Sequence, residues 1–186
     1  MQLNDKRTIN GWAYFDWANS AYYLVISTAI FPIYFSNVTD DTIHIGGGTI
    51  SNTALYSFSV SAVYILIALL SPLLSGIADF LRAFTMVGAI GCIALFFFDS
   101  PQHMWIGTTA FMLGTIGAAG GLVFYDSYLP IIATEDQYDR VSARGYAYGY
   151  IGSVLLLMFC LLMIQKPEWF GISSPTLPSR ISFVLV

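Results

Sequence analysis

Charge is what this sequence has least of. Seven Lys and Arg and eleven Asp and Glu make up only 10% of 186 residues. A soluble domain carries about a quarter charged residues, so these few cannot clothe a soluble surface of this size. The basic residues form no patch, which argues against a nucleic-acid partner. The net charge of −4 is scattered along short polar stretches and points to no partner of its own. Cysteine is almost missing too. Cys92 and Cys160 each sit in the middle of an apolar run with no Cys or His cluster beside them. They read as small apolar fillers, and no disulfide, metal or cofactor is expected. The two histidines, His44 and His103, lie in separate polar stretches. There is no HExxH, no serine in a nucleophile elbow and no paired cysteine, so no enzyme is expected.

Long apolar runs are what the sequence does have. The hydrophobic fraction is 56% and the mean hydropathy is +0.69. Five runs stand out, at about 9–35, 53–80, 83–98, 104–132 and 141–164, and a sixth begins at about 180. Several approach the ~20 residues needed to cross a bilayer as a helix. They are too long and too continuously apolar for barrel strands, which alternate. In lipid every backbone amide must be paired within its own element, so the spans should be helices. The expected fold is therefore an all-α membrane protein with five transmembrane helices and the start of a sixth. "MQLNDKRTIN" leads into a run that is too long, and too interrupted by Asp16, for a cleaved secretory signal. The closing "ISFVLV" is too short to cross a core of about 30 Å, and the chain reads as an incomplete N-terminal part of something longer.

Lys and Arg give the expected orientation. With a cytoplasmic N-terminus, Lys6, Arg7, Arg82, Arg140 and Arg144 lie inside and Lys166 and Arg180 outside, five against two. Trp12 then marks the inner interface, and Trp105 and Trp169 the outer one. Such a protein belongs in a plasma membrane, the bacterial inner membrane being the expectation. The Asn37-Val38-Thr39 sequon would face outward and reads as a chance match.

The polar residues inside the apolar runs are the candidate functional groups. In "GWAYFDWANSAYY", helical spacing puts Asp16, Asn19, Ser20, Tyr23 and Ser27 on one stripe. A carboxylate in a membrane helix costs several kcal/mol unless paired or hydrated, so it marks a functional site by default. Ser71, Ser75 and Asp79 share a face of the second run, as do Thr115, Ala119, Leu122 and Asp126 in the fourth and Arg140, Arg144 and Tyr148 in the fifth. Asp16, Asp79, Arg82, Asp126, Arg140 and Arg144 then meet at the cytoplasmic depth. An ionic cluster joining the helices is expected there. It serves either to fasten the helix ends or to act as a gate or a solute or proton site. Asp16, Asn19, Ser20, Tyr23, Asp126 and Arg144 are the candidates for substrate or proton binding. The Gly117/Gly121 and Gly145/Gly149/Gly152 spacings read as close helix packing.

"INGWAYFDWANSAYYLVISTAIFPIYF" resembles the first helix of a branch of the major facilitator superfamily, the unknown-major-facilitator family, related to the fungal vacuolar amino-acid effluxers. "VFYDSYLPIIA", "DRVSARGYAYGYIGSVLLL" and "RISFVLV" are similar to that family's fourth, fifth and sixth helices. The resemblance implies about twelve helices in two halves, with solute held between them and alternating access. It implies secondary transport of a small solute, with amino acids in the fungal relatives. The partners it implies are a lipid bilayer, a small-molecule solute and a C-terminal half absent from this chain, without which transport is not expected. In "SGIADFLRAF" the superfamily's loop motif keeps Asp79 but has Ser75 in place of glycine and only Arg82 of its basic set. The alternative is a membrane scaffold or assembly protein that does not transport.

Overall fold

The computed structural model describes residues 3–74 and 79–186, with side chains over 3–72 and 81–186. Six helices run in chain order: α1 (Lys6–Val38), α2 (Asn52–Leu74), α3 (Asp79–Leu95), α4 (Met104–Ile132), α5 (Tyr138–Gln165) and α6 (Leu177–Leu185). Four spans, in α1, α2, α4 and α5, are long and apolar enough to cross a membrane. The apolar stretch of α3, Leu81–Leu95, falls short of the ~20 residues a perpendicular span needs. Among the described residues, four of the five expected spans are thus shown and the third is not.

The boundaries also shift. The third helix, expected from 83 to 98, starts at Asp79 and ends at Leu95. Phe96, Phe97 and Phe98 form i→i+3 turns instead. Ser71 lies on α2 and Asp79 on α3; Ser75, the middle of the expected stripe, falls outside the described residues.

The first helix changes its winding midway. Tyr22–Ile30 is a π-helix of nine residues, and α-helical winding resumes at Phe31. Pro32 sits at the start of the resumed segment. It has no N–H to close the i→i−4 bond, and its ring crowds the preceding turn. A change of winding just before it relieves that conflict, and π segments commonly mark functional sites.

The polar stretch after α1, read as a loop, contains a β-hairpin. Strand β1 (Thr42–Ile45) pairs antiparallel with β2 (Gly48–Ser51), with Ile45 opposite Gly48. The two-residue turn is Gly46-Gly47, and both glycines have positive φ, 57° and 87°. Such a turn matches the twist of the strands and demands residues that accept the left-handed region. The first two glycines of "GGG" are therefore turn residues and the last begins β2.

The starts of α1, α3 and α5 and the end of α4 lie at one end of the bundle. At that end the Asn4 amide donates to Ile132 O at 2.8 Å, and Asn4 and Thr134 exchange side-chain hydrogen bonds. Leu81 of α3 lines a cavity with Thr8, Trp12, Tyr128 and Ile132 at the same end. At the opposite end Phe31 stacks on Phe111 with centroids 4.3 Å apart, and Tyr34, Phe98 and Phe183 pack edge-on around them. There the Tyr34 hydroxyl donates to Phe98 O and the Arg180 Nε donates to Phe96 O at 2.6 Å. The apolar core runs from this aromatic cluster down α1, and Cys92 and Cys160 are buried within it, as expected of small fillers.

Candidate functional site: the seam between α1 and α5

Glycine brings α5 against α1. Three glycines one turn apart, Gly145, Gly149 and Gly152, line one face of α5 and are buried. A Cβ at Gly145 would meet the Tyr125 hydroxyl at 2.5 Å and the Trp12 ring at 2.7 Å. One at Gly149 would meet Ser20 Oγ at 2.6 Å and Asp16 Oδ2 at 2.9 Å. One at Gly152 would strike the Trp17 indole. The residues of "WAYFDWANS" that fill these hollows are therefore Trp12, Asp16, Trp17 and Ser20. Trp12 is further fixed by stacking on Tyr125 at 4.0 Å and by donating from Nε1 to Tyr125 O at 3.0 Å.

Asp16 lies inside this seam and is only 4% exposed. Ser20 Oγ donates to its Oδ1 at a long 3.4 Å. Its other oxygen, Oδ2, is buried with no hydrogen-bond partner. A buried carboxylate oxygen without a partner costs free energy. This arrangement was not legible as such. The spacing marks Asp16 as one face of a polar stripe, and the structure makes that face the one covered by α5.

The stripe itself divides. Asn19 turns toward α4 and α3, where its Oδ1 would lie 3.8 Å from a Cβ on Gly121. It lines a half-open cavity of about 280 Å³ together with Tyr22, Cys92 and Gly117. Ser20 and Tyr23 line a different groove, open along α1 and α5. Ser27 lies toward α2, its carbonyl accepting from Tyr56 OH at 3.0 Å. The expected stripe assumed 3.6 residues per turn throughout, and the π winding from Tyr22 onward takes Ser27 off it.

The ionic cluster is not drawn together. Among the described residues the one ion pair is Asp99–His103, at the other end of the bundle. Asp126, Arg82, Arg140 and Arg144 are all exposed. The guanidinium of Arg144 lies 5.7 Å from the centre of the Tyr148 ring, one turn on along α5, rather than against a carboxylate. The side chain of Asp79 falls outside the described residues. Arg82 follows Leu81 on α3, and Arg140 and Arg144 lie in the first two turns of α5. The fourth-helix stripe also divides. Thr115 is buried in a hydrogen bond, Ala119 packs on Val63 and Ile67, and Asp126 is exposed.

Tyr22 was missed by sequence reasoning. Its hydroxyl lies 2.8 Å from Thr115 Oγ1 and donates to Phe111 O at 3.1 Å, both on α4. Gly114 leaves room for the ring: a Cβ there would stand 2.8 Å from Tyr22 Cε2. Thr115 next to a glycine was the available signal. A buried hydroxyl must find a partner, and a neighbouring helix with a small residue beside a polar one is where a tyrosine can reach. Close packing at Gly117 is borne out, but against Gly88 of α3, whereas Gly121 faces Phe15 of α1.

A family model described as "Vacuole effluxer Atg22 like" matches residues 4–186. The chain belongs to that family. It is also 28% identical, over 184 residues, to a protein of Bacillus subtilis (strain 168) described as "Uncharacterized MFS-type transporter YxiO". That match covers 95% of this chain but 42% of the relative, so the chain spans less than half the relative's length. No solved structure matches it. The major-facilitator resemblance of the first, fourth and fifth helices is thus borne out, and this Atg22-like chain is a multi-pass integral membrane protein of a transporter family.

Proposed function

We propose that this chain forms the N-terminal half of a secondary active transporter that moves a small polar solute across a membrane by alternating access. The observation that carries the proposal is Asp16: a carboxylate in a spanning helix, 4% exposed, with one oxygen unpartnered on a glycine seam. Purely structural packing gives no reason to keep an unpartnered carboxyl group there, because an apolar residue of similar volume would be at least as stable. A site that must bind and release a proton or a solute does give one. The family model is described as an effluxer and the Bacillus subtilis relative as an MFS-type transporter, which supports the transporter reading.

In this reading α1 and α5 form one face of the solute path. Asp16, Ser20 and Tyr23 bind the solute or proton on that face, and Asn19 supports them from the α4 side. Asp126 and Arg144, both exposed, act at the mouth of the path on the end where Arg82, Arg140 and Asp79 also lie. Lys6, Arg7, Arg82, Arg140 and Arg144 gather at that end, and Lys166 and Arg180 lie at the other. By the positive-inside rule the first end is cytoplasmic and the membrane is a bacterial plasma membrane. Amino acids, which the resemblance implies, are the first solutes to try.

A cavity between two halves cannot close with one half, so the chain does not transport alone. Uptake into sealed vesicles tests this, with the chain expressed by itself and fused to the C-terminal half of its Bacillus relative. The fusion should take up solute and the lone chain should not. Uptake by the lone chain would overturn the proposal.

A further inference from the structure

The π segment of α1 lies between two bolts. Below it, Trp12 stacks on Tyr125 and donates to its carbonyl. Above it, Phe31 stacks on Phe111, and Tyr34 and Phe35 pack on Phe98. Between the bolts Tyr22–Ile30 winds as a π-helix, and the Phe31 amide donates to Ile26 O, five residues back. Such segments are rare and mostly single turns, often at functional sites. This one runs for nine residues. A bond that spans five residues rather than four gives each turn about one residue more than an α turn holds. The segment therefore carries a surplus. With α1 bolted on both sides of it, the surplus cannot leave, but it can change place along the helix.

Little holds the stretch just below. Asp16 keeps only the long bond from Ser20, and its Oδ2 has no partner. The glycines of α5 pack against this stretch but have no side chain to bond it. The first firm tie above it is Tyr22, whose hydroxyl is bonded to Thr115 Oγ1 and Phe111 O of α4. Tyr22 also opens the π segment, so it is a catch at the point where the surplus would pass downward. Pro32 bars the other direction, because it has no N–H with which to continue a shifted ladder. We propose that the π segment is a switch in α1. When the Tyr22 catch opens, the wide turn migrates toward Asp16, and each residue it passes turns by one helical position, about 100°. Asp16, Ser20 and Ala21 then rotate out of the α5 seam while the bolts at Trp12 and Phe31 stay closed. The inference rests on the transporter reading above and adds the motion that covers and uncovers its Asp16 site.

The test reads thiol reactivity. Ala21 is 2% exposed and the native Cys160 is 0% exposed. The Ala21→Cys chain in lipid nanodiscs is treated with N-ethylmaleimide, and mass spectrometry follows each thiol separately. Although both sites are buried, the introduced thiol should react at least about ten-fold faster than Cys160, through local opening of the switch. Tyr22→Phe keeps the ring and removes the catch. It should speed the introduced thiol about five-fold further, the worth of one neutral hydrogen bond, and leave Cys160 unchanged. Deletion of Thr28, an exposed residue of the π segment, takes out surplus and should slow the introduced thiol to the rate of Cys160. An introduced thiol that reacts no faster than Cys160, or that ignores either change, would overturn the inference. So would an acceleration shared equally by Cys160, which reports general loosening. If the deletion unfolds the chain, Tyr22→Phe alone decides. Each of these outcomes leaves the transporter reading standing, and that reading fails separately, through the vesicle uptake above.

Discussion

Asp99 shows how a single contact can be read for its pH dependence. It lies in the turn between α3 and α4, outside the spanning stretches, and its Oδ1 is 2.8 Å from His103 Nδ1. The hydrogen bond from His103, and then one from Ser100, hold its carboxyl below the ordinary aspartate value. Because the folded value is depressed, the contact stabilises fully above the unfolded value of about 3.9 and is lost as pH falls below it. Both side chains are more than 40% exposed, so the effect on stability is small. Replacing His103 by Ala should move the Asp99 carboxyl titration, followed by carbon-13 NMR, up toward the free value; an unmoved titration would contradict the assignment. At this scale the sequence was uneven. Asp16 stood out because a charge in an apolar run is conspicuous. Its covering by Gly149, the hydroxyl contact of Tyr22 and the outward turn of Arg144 depend on helix rotation, which residue type does not encode.

The seam between α1 and α5 is a matter of elements. Its contact rests on glycine faces, and the four-residue spacing of Gly145 and Gly149 was legible because it is periodic. Which helix each face meets was not legible: Gly117 and Gly121 lie one turn apart yet serve α3 and α1 respectively. The π segment was also hidden, because no residue between Tyr22 and Ile30 forbids ordinary winding. The hairpin was legible in principle, since "GGG" signals a turn and Thr42–Ile45 alternates polar and apolar, but the stretch was read as a loop because its strands are only four residues long. The seam predicts opposite signs for one chemical change. Gly149→Ala drives a methyl against Ser20 and Asp16 and should destabilise by about 1–3 kcal/mol, as overpacking does. At Gly11 nothing lies within 4 Å, so Gly11→Ala should stabilise by about 0.5–1 kcal/mol through helix propensity alone. Thermal unfolding in detergent would check both, and equal effects would mean that the seam is not tightly packed.

For the whole molecule, alternation of the helices was the most legible feature. Short polar connections between long apolar runs favour an up-and-down arrangement, and the contacts of Asn4 with Thr134 and of Tyr34 with Phe98 join the helix ends at opposite ends of the bundle. The number of true spans was less legible, since a run of apolar residues includes turns such as Phe96–Phe98 that are apolar without being helical. The expected ionic knot gave way, among the described residues, to a glycine seam with one uncompensated carboxylate. That carboxylate is the centre of the account. Uptake into vesicles by the chain fused to its relative's C-terminal half, compared between Asp16 and Asp16→Asn, tests it directly. Asparagine keeps the size and the hydrogen bond to Ser20 but can neither hold a charge nor exchange a proton, so the rate should fall at least about ten-fold, roughly 1.4 kcal/mol, with the protein still folded. Uptake equal to that of the unaltered fusion would show that Asp16 is only a packing residue, and the account would be wrong.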